Sequence, residues 1–98
     1  MEDLMKKVTA KLIKKTDLLP DAVKTNMAEL SHLDTYVCIE EGWSSVEITA
    51  KAKVDEYTWV KLEKRVYTDD IKGDKVEAVV SIILDMLDKL KKIKKMWR

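Results

Sequence analysis

Between Val46 and Val54 the chain reads Val-Glu-Ile-Thr-Ala-Lys-Ala-Lys-Val, an unbroken alternation of apolar and polar side chains. That period of two predicts a strand with one buried face and one wet face. Tyr36 to Glu40 before it reads as a shorter strand, with Gly42 placed where a hairpin turn belongs. Asp55-Glu56 makes the next turn. A third strand, Tyr57 to Tyr67, is rich in β-branched and aromatic residues. Val60, Leu62 and Val66 share one of its faces, and Tyr57, Trp59 and Tyr67 share the other with Lys61, Glu63 and Arg65. Three strands joined by short turns predict an antiparallel meander.

On either side the period is helical. Leu4, Met5, Val8, Leu12 and Ile13 predict a first helix from Glu2 to about Lys15. Its acids stand at the N-terminal end and Lys14 and Lys15 at the C-terminal end, as the helix dipole favours. Thr16-Asp17 reads as a break. Pro20 suits a first helical position, and Val23, Met27 and Leu30 then predict a shorter second helix that fades at Ser31-His32. The last helix, Asp74 to Trp97, opens on Asp74 with Glu77 three residues on, the spacing of a capping box. Ala50 and Ala52 leave room on the second strand for close approach, so this helix is expected to lie over that strand. The expected fold is α+β, a single domain over residues 1–98 in the order α-α-β-β-β-α: two N-terminal helices, a three-stranded antiparallel β-meander and a long C-terminal helix packed on the sheet.

The totals narrow the classes. An apolar fraction of 46% and a charged fraction of 38% suit a globular chain with a heavily solvated surface. The longest apolar stretch is interrupted at Ser81 and ends at Asp85, far short of the roughly 20 residues of a membrane span. The acidic start Met1-Glu2-Asp3 is unlike a signal peptide. One cysteine excludes an internal disulfide, and a cytoplasmic location is the expectation. A net charge of +1 gives no general pull toward nucleic acid, and of the 19 basic residues only Arg65 and Arg98 carry the forked group that reads phosphates and bases.

Candidate chemistry is sparse. His32 is the one histidine, and its neighbour Ser31 falls at an expected helix end. One cysteine and one histidine do not make a zinc site. Cys38 reads as a small apolar strand residue with Glu40 and Glu41 beside it, the wrong surroundings for a reactive thiolate. The pairs Glu40-Glu41, Asp55-Glu56 and Asp69-Asp70 are adjacent in sequence, so in a strand their side chains diverge. The three aspartates around Gly73 miss the calcium-loop spacing. Two glycines, Gly42 and Gly73, form no phosphate-cradling loop. No enzyme, metal site or cofactor is expected.

Binding features remain. Trp43, Glu47, Tyr57, Trp59, Lys61, Arg65 and Tyr67 form an expected partner-binding set, drawn from the aromatic and basic face of the meander, to which Thr49, Lys51 and Lys53 also belong, or from the acidic Glu40–Glu47 hairpin. Two alternatives stand for that face: the first two helices cover it, or it is free. From Ala78 to Leu84 only Ser81 is polar, so the last helix is apolar around most of its circumference and is buried on several sides. Flanking helices or a second subunit would satisfy it, and Val79, Ile82, Ile83, Met86, Leu90, Ile93 and Trp97 are the expected contacts of a homodimer. The expected function is a non-enzymatic protein-interaction module: an adaptor, inhibitor or assembly factor of the kind phages also encode. The competing expectation is a nucleic-acid-binding protein using the lysine-rich helix end and the sheet aromatics. A membrane partner is not expected.

Overall fold

The computed structural model describes residues 3–97, arranged as one helix, a five-stranded antiparallel sheet and a second helix. The elements are α1 (Leu4–Lys15), β1 (Leu19–Val23), β2 (Met27–His32), β3 (Thr35–Glu41), β4 (Ser45–Asp55), β5 (Thr58–Tyr67) and α2 (Lys75–Met96), with a single 3-10 turn at Thr68–Asp70. The strands lie in the sheet in chain order, β1-β2-β3-β4-β5, so each pairs with its sequence neighbour through a tight turn.

α1 is capped at Asp3, whose carboxylate accepts from the Met5 and Lys6 amides at 2.9 and 3.5 Å. It stops at Thr16, where the hydroxyl donates back to the Leu12 carbonyl at 2.6 Å and accepts from the Leu18 amide at 3.1 Å. α2 is capped by Asp74, which accepts from the Val76 amide at 2.8 Å and the Glu77 amide at 3.3 Å. Glu77 engages Lys11 of α1 instead of returning to the cap, so the expected box is half formed and its acid ties the helices together. Gly73, at φ 91°, provides the left-handed step before that cap.

The expected second helix does not exist; residues 19–32 are the β1–β2 hairpin, and the sheet has five strands rather than three. Val23, Met27 and Leu30 have helical spacing, but Leu30 is fully buried beside Ala28, two residues away, while Met27 is only half-buried. The pattern Ala28-Glu29-Leu30-Ser31 is the same alternation that marks β4. The hairpin closes at Lys24, whose amide donates to the Met27 carbonyl at 2.7 Å across Thr25-Asn26. Pro20 sits in the edge strand β1, where a missing amide costs the sheet no ladder bond.

Both helices pack on one face of the sheet. α1 lies over β1 and β2, α2 lies chiefly over β4 as expected, and the helices touch each other. Beneath them Ala28, Leu30, Val37, Ile39, Val46, Ile48, Ala50 and Ala52 supply the sheet's share of one continuous core. Met5, Val8, Leu12, Val79, Val80, Ile83, Met86 and Leu90 supply the helices' share. The buried side of α2 is therefore packed against α1, β4 and β5 within the chain, while Ala78, Ile82 and Leu84 are half-buried. Among the described residues no helix is long and apolar enough to cross a membrane.

Candidate interaction surface: the open face of the sheet

Placing both helices on one side leaves the other side of the sheet bare. Strand alternation sends Glu29, Tyr36, Cys38, Glu47, Thr49, Lys51, Trp59, Lys61, Glu63, Arg65 and Tyr67 to that side, and none of them is buried. At its centre the Lys51 ammonium stands 4.9 Å from the Tyr36 ring and 5.3 Å from the Trp59 ring, a cation held between two aromatic faces. Lys51 faces Lys61 directly across the β4–β5 ladder, and the two rings give its charge a favourable place despite that neighbour. Farther along, Arg65 pairs with Glu47 across the same ladder, and Lys61 with Glu63 along β5 at 2.8 Å.

Beside this cluster the Tyr36 phenol is pushed well above its ordinary range, first by burial and then by Cys38 and Glu29. The Cys38 thiol is also pushed up, chiefly by burial; its hydrogen bond with Tyr36 works against that, and Glu40 and Glu29 add to it. Both groups are thus held in their neutral forms. Ser31 donates to Asp21 at 2.6 Å rather than engaging His32, which is exposed at the end of β2. Among the described residues no three His, Cys, Asp or Glu side chains gather as a metal site.

Of the expected partner-binding residues, Glu47, Trp59, Lys61, Arg65 and Tyr67 are brought together on the open face. Trp43 and Tyr57 are not: they occupy the β3–β4 and β4–β5 turns, at opposite ends of β4, and are 102% and 88% exposed. Lys51, which the alternation along β4 already puts on the wet face, and Tyr36 complete the cluster, and neither is in the expected partner-binding set. The signal for Tyr36 was its parity, since Val37 and Ile39 claim the buried side of β3. Of the expected dimer contacts, Val79, Ile83, Met86 and Leu90 are buried in the chain's own core, Ile82 and Ile93 are half-buried and Trp97 is exposed. The Trp97 indole donates to Asp55 at 2.9 Å, which fastens the end of α2 to the β4–β5 turn and lowers the Asp55 carboxyl below its usual range.

The lysine-rich end of α2 belongs to the other layer. With the end of α1 it borders an open groove of about 600 Å³, rimmed by Lys14, Lys15, Lys91 and Lys94 over Leu87 and Leu90. Asp34 faces Lys94 at 3.7 Å, and Lys89 and Lys92 pair with Asp85 and Asp88 one turn back, at 3.2 and 3.1 Å.

One distribution sets this surface apart. The chain has six aromatic residues, three Trp and three Tyr and no Phe, and none lies in the buried core, which is wholly aliphatic and methionine-lined. Tyr36, Trp59 and Tyr67 share the open face, Trp43 and Tyr57 tip the turns, and Trp97 ends α2. Aromatic side chains ordinarily contribute heavily to cores; this fold closes without them. No family model matches the chain, and no curated protein or solved structure matches it.

Proposed function

We propose that the protein is a non-enzymatic interaction module whose partner is another protein, bound on the open face of the sheet. The observation that carries this reading is the displacement of every aromatic residue from the core to the surface, with three of them on one uncovered face. Tyr and Trp are the residues most enriched at the centres of protein interfaces, because they bury large rigid areas at little entropic cost. The charge of the face favours a protein over a nucleic acid. Glu29, Glu40, Glu47 and Glu63 stand against Lys51, Lys53, Lys61 and Arg65, so the face is near neutral and has no phosphate-tracking stripe. The basic end of α2 lies in the opposite layer and adds nothing to it.

The test is a photoreactive phenylalanine placed at position 36 in the native host, with a control at position 89 on the outer side of α2. The expected result is a discrete protein adduct from position 36 alone, unaffected by nuclease. Identical products from both positions, or an adduct that nuclease removes, contradicts the reading. In the nuclease-sensitive case binding should also fall steeply between about 50 and 200 mM salt.

A further inference from the structure

The two edges of the sheet are unlike. β1 is five residues long, carries Pro20 and breaks register between Pro20 and Ala22, all features that discourage further pairing. β5 is ten residues long, runs in unbroken register from Trp59 to Tyr67 and pairs only with β4 among the described residues. Its hydrogen-bonding parity follows from the ladder. The Thr68 amide donates to the Ser44 carbonyl at 2.9 Å, so the even-numbered residues of β5 bond inward to β4. The amides and carbonyls of Trp59, Lys61, Glu63, Arg65 and Tyr67 point outward, unpaired by any strand.

We propose that β5 pairs antiparallel with β5 of a second copy of this chain, about a two-fold axis at Leu62, joining two five-stranded sheets into one. Parity restricts the choice of register, since outward-facing residues must oppose outward-facing residues. Centring the axis on Lys61, Glu63 or Lys64 sets that residue against its own copy, like charge on like charge, which destabilises a strand pair. Centring it on Val60 leaves much of β5 unpaired. Centring it on Leu62 sets Lys61 against the second copy's Glu63, Glu63 against its Lys61, Trp59 against its Arg65 and Arg65 against its Trp59. With the Lys61–Glu63 pair already present in each chain, the four groups close into a ring of alternating charge. On the helix side Leu62 meets its copy, and Val60 lies against the aliphatic stem of Lys64. The basic residues that would repel an arbitrary strand thus become complementary to this one, an isologous contact of the two-fold kind.

The pairing does not depend on the reading of the open face, because it uses the backbone edge and leaves Tyr36, Cys38 and Lys51 uncovered. Sedimentation equilibrium of the full chain at up to about 500 μM should give twice the 11.4 kDa of one chain. Glu63→Lys should weaken association about tenfold or more, since each substitution acts twice in a two-fold contact. Adding Lys61→Glu to it should restore association, because the swapped ring has the same alternation. These residues are exposed, so folding is not at risk. In a Cys38→Ser background Leu62→Cys should form an intermolecular disulfide, since the paired Cα atoms at the axis would be about 4.5 Å apart, and Val60→Cys should not. A monomer throughout, a dimer indifferent to Glu63→Lys, no rescue by the swap, or equal cross-linking at 60 and 62 overturns the proposal. A β5 edge that becomes protected only when a different protein's strand is supplied overturns it as well. Loss of the dimer in Glu63→Lys with the position-36 adduct retained would separate this contact from the open-face reading.

Discussion

Along β4 the side chains of Val46, Ile48, Ala50 and Ala52 are 0–4% exposed, while Glu47, Thr49, Lys51 and Lys53 between them keep contact with water. The two faces of the sheet share a backbone and little else. The covered face is small and aliphatic and is fixed by packing against α1 and α2. The open face is amphiphilic, carries aromatic rings that no described element covers, and pairs Arg65 with Glu47 and Lys61 with Glu63. The covered face accounts for the fold; the open face can change without dissolving it, which is what a binding surface requires.

The largest expected difference is in stability. Ile48→Ala should cost about 2–5 kcal/mol through the cavity it leaves, whereas Thr49→Ala, one residue on and facing the other way, should stay within about 0.5 kcal/mol; urea denaturation measures both. Equal losses would break the distinction between the faces. Overpacking is next: Ala50→Leu, beneath α2, should cost about 1–3 kcal/mol, read as a lowered midpoint. A smaller effect of opposite sign is expected from Thr9, whose buried hydroxyl has no hydrogen-bond partner among the described residues. Thr9→Val should gain about 1 kcal/mol by removing an unsatisfied group from the covered side.

The open face makes the smallest contribution, and it should show at high pH. Tyr36 and Cys38 are both held protonated in the folded state. The folded chain therefore keeps protons that the unfolded chain releases. Stability is complete below the ordinary cysteine range, near about pH 8.5, and falls as pH rises through it and then, for Tyr36, through the ordinary tyrosine range near about pH 10. Tyr36→Phe should flatten that decline in pH-dependent denaturation.

Much of this architecture was legible in the residues. Period-two alternation located β3, β4 and β5, the Asp74 cap located α2, and Ala50 and Ala52 located the strand beneath it. The β1–β2 hairpin was hidden because Pro20 serves a helix start and an edge strand equally well. Val23, Met27 and Leu30 also mimic a helix face when Ala28 is overlooked. The apolar girth of α2 left flanking helices and a second subunit as equal ways to enclose it, because the sequence does not show that α1 and the sheet both pack against it. The candidate surface was half legible, because parity within β5 is a local property. The meeting of Tyr36, Lys51 and Trp59 depends on the register of three strands, which no single segment reveals.

The bareness of the second face is tested most directly by a soluble paramagnetic probe read at the side-chain resonances of β4. Strong relaxation at Glu47, Thr49, Lys51 and Lys53, with protection at Val46, Ile48, Ala50 and Ala52, is the predicted result. Uniform protection along the strand would mean that something covers both faces, and would contradict the account.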